Sequence, residues 1–284
     1  MKKIFILTTQ AEHFAKPLIN KKRKVILPEK NRERKRFFPD GEVYSKIPSA
    51  EKLKGQKVIV LHSGCPEPNS GLVELELILQ ILKEAGCKVE IFFTYFPYGM
   101  QDCVFEKGEA NSSENLIKKL VSYYSVKKIY IIDPHFGKRE WVKKYPIKQI
   151  PASPLLIKKA KKEMGEDILL ASPDKGSERR TGICGMNKRR LNSFTVEMEN
   201  SGINFRGKTT GVVDDIVKTG GTLVKFSEIA RKSGAKKVVA LITHGVILEG
   251  IKRVKKSFSK LYLTNTINRK EANVDVTDLI IKNS

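Results

Sequence analysis

The sequence predicts an α/β protein of two tandem domains, each a mainly parallel sheet flanked by helices. Three observations carry that expectation. Short apolar runs alternate with amphipathic segments along most of the chain, as in parallel sheets with crossover helices. The scheme is played twice, and Tyr145-Pro146 interrupts it, dividing the chain into residues 1–145 and 146–284. The apolar runs also end in charged or glycine-rich motifs, where open α/β sheets bind ligands. At 284 residues and 40% hydrophobic content the chain is long enough for two cores.

In the first half, Lys3 to Leu7 and Lys57 to Leu61 read as strands. Leu72 to Ala85 reads as a helix closed by Gly86, and Val89 to Thr94 as a buried strand. A helix from Ser113 to Tyr124 gathers Leu116, Ile117, Leu120 and Val121 on one face, and the strand Lys128 to Ile132 ends at Asp133. In the second half, Ser153-Pro154 caps and begins a helix reaching Met164. Asp167 to Ala171, Gly211 to Asp215 and Lys237 to Thr243 are expected strands; Lys260 to Thr264 is a late one, in a tail that can return to the first domain. Arg179 to Lys208 is polar, holds four glycines and keeps no sustained period, so it is expected to be an irregular functional lid.

Composition narrows the function classes. No apolar run approaches the length of a membrane span, and Met1 to Leu7 turns polar at Thr8 before a signal-peptide core is complete. Cys65, Cys87, Cys103 and Cys184 have neither metal-ligand nor disulfide spacing, which points to a reducing cytoplasm. The net charge of +23 is densest from Lys21 to Arg36. Without zinc-finger spacing, an RNP-like aromatic motif or a heptad basic region, it does not indicate specific nucleic-acid binding; a diffuse positive field still attracts anionic substrates.

The most informative stretch runs from Val212 to Thr222. Two valines lead into Asp214 and Asp215, and Thr219-Gly220-Gly221-Thr222 opens a helical run, Leu223 to Arg231. It reads as strand, loop, helix. The glycines let backbone amides turn inward, and amides at a helix N-terminus favour an anion such as phosphate. Asp214 and Asp215 repel that anion and suit sugar hydroxyls, or a divalent ion held by them. The segment thus suits a sugar phosphate gripped at both ends, with Lys218 beside the phosphate or in solvent. It resembles the phosphoribosyl-diphosphate loop shared by type I phosphoribosyltransferases and ribose-phosphate pyrophosphokinases.

Other motifs favour the second family. Phe38-Pro39-Asp40-Gly41-Glu42 alone is a turn, but it matches that family's loop for the adenine of ATP. The match implies that Phe38, Asp40 and Glu42 complete a neighbour's ATP site in a homo-oligomer, a dimer or higher. Gln101 and Asp102 are similar to the family's nucleotide-binding pair, whereas Met100 and Cys103 stand where it carries arginine and another basic residue. Asp133-Pro134-His135 resembles its Asp-x-His, which implies that His135 contacts ATP phosphates and Mg2+. Ser172-Pro173-Asp174-Lys175-Gly176 resembles its pyrophosphate loop, with Asp174 a Mg2+ contact. Lys188-Arg189-Arg190 resembles its Lys-Arg-Arg, which implies that Lys188 and Arg190 are the catalytic pair. Thr195 to Met198, Gly207-Lys208 and Thr243-His244-Gly245 are also family-like, with His244 structural or interfacial.

The resemblance spans residues 37 to 250 and implies two type I phosphoribosyltransferase-type domains. The implied activity is transfer of the diphosphoryl group of ATP to ribose 5-phosphate, with Asp214, Asp215, Lys218, Thr219, Gly220, Gly221 and Thr222 holding the sugar phosphate. The rival readings are a non-catalytic regulatory homologue, suggested by Met100 and Cys103, and a type I phosphoribosyltransferase.

Overall fold

The computed structural model describes residues 3–190, 196–199 and 202–284, with only the backbone of 187–190 and 196–199. It groups into two compact units, Met1–Ile150 with Thr277–Ser284, and Pro151–Val276.

The first unit contains β1 (Ile4–Leu7), α1 (Ala15–Asn20), β2 (Lys24–Ile26), β3 (Lys57–Ser63), α2 (Pro68–Glu84), β4 (Lys88–Tyr95), α3 (Ser112–Ser122), β5 (Lys128–Ile132) and β6 (Ile147–Ile150). Its six strands lie in the order β2-β1-β3-β4-β5-β6, and every pairing is parallel. The core joins alternate residues of the central strands, among them Ile6, Val60 and Ile91, to Leu75, Ile78, Leu79 and Leu82 of α2 and Leu116, Ile117 and Leu120 of α3. Such i, i+3, i+4 spacing is what a sheet-packed helix requires.

The second unit contains α4 (Ser153–Met164), β7 (Leu169–Ala171), α5 (Lys175–Thr181), β8 (Asn187–Arg190), β9 (Val196–Glu199), β10 (Thr209–Val217), α6 (Gly221–Lys232), β11 (Lys237–Gly245), α7 (Leu248–Ser257) and β12 (Lys260–Leu263). Its parallel sheet has the order β12-β11-β10-β7. Successive residues of β10 serve opposite faces. Val212 packs with Phe226 of α6 and Val254 of α7, and Val213 with Leu156 and Ala160 of α4. The last helix, α8 (Thr277–Asn283), belongs to the first unit, where Asp278 pairs with Lys21 at 3.1 Å. Among the described residues no helix is long and apolar enough to cross a membrane, and no disulfide joins the four cysteines.

Several expectations need correction. Tyr145-Pro146 lies inside the first unit, because the short β6 that follows still pairs with β5; the division comes after Ile150. The part of the tail grouped with the first unit is α8, whereas β12 pairs with β11 in the second. The stretch Arg179 to Lys208 is only partly irregular: α5 extends into it, and β8 and β9 form an antiparallel ribbon with Lys188 opposite Met198 and Arg190 opposite Val196. Finally, β10 continues past the aspartates, because Ile216 and Val217 keep its ladder with His244 and Gly245.

Candidate active site

Asp214 and Asp215 are therefore strand residues near the carboxyl end of β10, and both are buried. Burial, then the adjacent Asp215 carboxylate, pushes Asp214 well above its ordinary pKa. Helix α5 supplies the groups that make this pair tolerable. Ser177 Oγ donates to Asp214 Oδ1 at 2.6 Å. Arg180 Nη2 donates to Asp215 Oδ1 at 3.0 Å and lies 3.6 Å from Asp214 Oδ1. Asp174 caps the same helix, its Oδ1 accepting from Ser177 N at 2.9 Å. One short helix thereby links the Asp174 loop to the acidic pair.

After β10 the chain turns through Lys218 and Thr219, both exposed, to Gly220 at φ +76° and ψ 1°, the N-cap of α6. That left-handed backbone favours glycine. No side chain caps α6, so the first-turn amides of Gly221 and Thr222 form a cradle of the kind that binds phosphate. The cradle is held from behind by α7. A Cβ added at Gly250 would lie 1.7 Å from the carbonyl oxygen of Lys218. Gly250→Ala is therefore expected to displace Lys218 and Thr219 and to raise the KM for ribose 5-phosphate about 10-fold or more, although residue 250 lies in α7, outside the motif. Steady-state kinetics checks this; an unchanged KM would mean that the loop position is not what binds the sugar phosphate.

In the first unit, Phe38 to Glu42 forms a tight turn: Phe38 N donates to Glu42 O at 2.8 Å, and Glu42 N to Asp40 Oδ1 at 3.1 Å. Asp40 and Glu42 are exposed, and the Phe38 ring, 40% exposed, meets Tyr44 edge-on. Gln101 is tied to the start of α3, its Oε1 accepting from Ser112 Oγ at 2.6 Å. His135 is half-buried beyond β5, two residues after Asp133 at φ +36°, a conformation that non-glycine residues rarely adopt.

Asp102 is the acid expected in the ATP site. It is 5% exposed and turned to Arg139, which donates through Nε at 2.8 Å and Nη2 at 3.0 Å. Trp141 Nε1 donates to the Asp102 carbonyl at 3.2 Å. Thus the loops after β4 and β5, which carry Gln101 and His135, are stitched together. His244 is 3% exposed and bonded through Nδ1 to Thr266 Oγ1 at 2.9 Å, in agreement with a structural role.

The backbone places Lys188 and Arg190 two positions apart in β8. The base of the ribbon is attached to the Asp174 loop: Ser172 N donates to Cys184 O at 2.8 Å, and Met186 N to Ser172 O at 3.3 Å. Thr195 lies outside the described residues.

Comparison with known proteins gives this arrangement a family. The model of the N-terminal domain of ribose phosphate pyrophosphokinase matches residues 4–123. The ribose-phosphate pyrophosphokinase of Pyrococcus abyssi is 33% identical, over 99% of this chain and 98% of its own length. That of Thermococcus kodakarensis is 32% identical, over 98% and 99%. The chain belongs to the ribose-phosphate pyrophosphokinase family. The phosphoribosylpyrophosphate synthetase of Mycobacterium smegmatis shares its fold, with a TM-score of 0.82 over 99% of this chain and 97% of that one at 20% identity. Both units accordingly have the type I phosphoribosyltransferase architecture.

Within a ribose-phosphate pyrophosphokinase framework, three side chains stand out that the motifs alone did not identify. Ser177 and Arg180 hold the acidic pair, and Arg139 holds Asp102. Arg180 sits six residues beyond Asp174, and helical spacing after the Asp174 cap was the available signal. Arg139 had none, since its partner lies 37 positions away.

Proposed function

We propose that this enzyme transfers the diphosphoryl group of ATP to the C1 hydroxyl of ribose 5-phosphate, giving phosphoribosyl diphosphate and AMP. The observation that carries the reading is the buried Asp214-Asp215 pair running into the uncapped N-terminus of α6, in a chain of which 98% aligns with a ribose-phosphate pyrophosphokinase. Asp214 and Asp215 accept from the ribose hydroxyls, with Ser177 and Arg180 keeping their carboxylates oriented. Thr219 to Thr222 and Lys218 hold the 5-phosphate.

The C1 oxygen attacks the β-phosphorus as the bond from that phosphorus to the α,β-bridging oxygen breaks. AMP leaves with that oxygen, and the hydroxyl proton passes to solvent. Lys188 and Arg190 stabilise the charge on the transferring group and help exclude water. No covalent enzyme intermediate is required.

Mg2+ fits the residues present. Asp174 offers the hard carboxylate oxygen that Mg2+ prefers, and His135, a nitrogen donor, would reach the ion through water or a phosphate oxygen. When bound, the ion neutralises phosphate charge. Phe38, Asp40, Glu42, Gln101 and His135 bind ATP, Asp102 acting through Arg139. The exposed Phe38 turn supports a shared site in a homo-oligomer, and cysteines outside any disulfide support a reducing cytoplasm. The test is chromatography of the nucleotide product: AMP formation that requires ribose 5-phosphate and no added base supports the reading, and its absence from folded protein refutes it.

A further inference from the structure

We infer that Arg139 is the fixed cation of the nucleotide site and contacts a phosphate of the bound nucleotide, an assignment that rests on the function proposed above. The starting point is a deficit: the first part of the loop after β4, Phe96 to Cys103, holds aromatics, glycine, Met100, Gln101 and Asp102 and no cation, the loop's one lysine, Lys107, coming four residues later and exposed. A polyphosphate at the carboxyl edge of this sheet is favoured by a fixed cation beside it. Arg139 is brought there from the neighbouring loop.

Its guanidinium is held on one edge by the bidentate contact to Asp102, and Nη2 also lies 3.2 Å from Cys103 Sγ. The anchor is rigid. Asp102 is buried, its carbonyl accepts from Trp141, and Trp141 packs on Phe136, which meets Phe96 at the start of the same loop. The opposite edge differs: Nη1 makes no hydrogen bond to the described residues, and the side chain is 43% exposed. An arginine fixed by a carboxylate on one edge and open on the other is pre-organised for an anion, because little side-chain entropy remains to be lost. Phosphate oxygens suit its donor geometry. Met100, 38% exposed, and Cys103 add no charge of their own.

The same contacts would also exist if Arg139 only joined two loops, so the experiment must separate the roles. Asp102→Asn with Arg139→Gln removes both charges together and leaves no buried carboxylate unpaired. We expect its KM for ATP to rise about 10- to 100-fold while that for ribose 5-phosphate stays within about two-fold. Arg139→Lys keeps a cation against Asp102 but loses the fork; it is expected to raise the ATP KM about 10-fold, and it carries the test alone if the double variant does not fold. An ATP KM equal to wild type in a folded variant, or an equal rise in both KM values, overturns the assignment. Wild-type protein that makes no AMP would instead overturn the function on which it rests.

Discussion

Replacing Lys188 by alanine is expected to lower kcat about 10²- to 10³-fold while ribose 5-phosphate affinity stays within about two-fold, the signature of a contact made mainly in the transition state. The location of β8 supports this split. The ribbon begins directly after Met186, which is fully buried and bonded to Ser172, so its base is fixed to the Asp174 loop. Gly185 makes the close approach possible: a Cβ there would lie 2.4 Å from the Asp174 carbonyl oxygen. The Asp214 to Thr222 motif belongs to a different strand and helix, β10 and α6. Removing Lys188 therefore leaves the acceptor motif intact. Single-turnover kinetics together with calorimetric binding of ribose 5-phosphate separates the two effects, and unchanged turnover would exclude the ribbon from the chemistry.

The second large effect is expected at Asp215. Asp215→Ala should weaken ribose 5-phosphate binding at least about 100-fold, by removing an acceptor for the sugar hydroxyls. It should also destabilise the fold, because Arg180 loses its 3.0 Å partner with only about a fifth of its side chain exposed. Breaking a buried ion pair costs about 3–5 kcal/mol. Asp214, 3.6 Å from the same nitrogen, reduces the loss here, so a cost of roughly 2 kcal/mol is expected, a fall in Tm of roughly 4–8 °C. Asp215→Asn retains an acceptor for Arg180 and is expected to lose the affinity with a smaller fall in Tm. If both variants bind ribose 5-phosphate like wild type, the acidic pair has been assigned to the wrong chemistry.

The central strands and their helices were legible because burial imposes periodicity. Ser153 to Met164 was readable from a proline at the start and helical spacing, and those are its bounds in the fold; Ser153 is its first residue rather than its cap, which is Ala152 without a side-chain hydrogen bond. β2 and β6 were not. Lys24-Val25-Ile26 and Ile147-Lys148-Gln149-Ile150 are short edge strands whose ladders depend on neighbours distant in sequence, with too few apolar residues to set a period. The β8-β9 ribbon escaped for a related reason: its pairing is antiparallel and local, outside both parallel sheets, and its sequence is dominated by charge.

The candidate site divides similarly. Asp214, Asp215 and the Gly220 turn were readable because one continuous stretch carries the strand, the acids and the cradle. What restrains the acids was not, since Arg180 reaches Asp215 across 35 positions and only the packing of α5 on β10 joins them. Asp102 illustrates the limit of motif reading most plainly. The motif identified an acid of consequence, but the fold turned it inward, and the charge it sets in place is Arg139.

The most direct test uses ATP labelled at the β-phosphorus, incubated with the purified protein, ribose 5-phosphate and Mg2+. The account predicts that the label appears in the diphosphate of phosphoribosyl diphosphate, in step with an equal amount of unlabelled AMP. Label retained in ADP, or no transfer by folded protein, would contradict it.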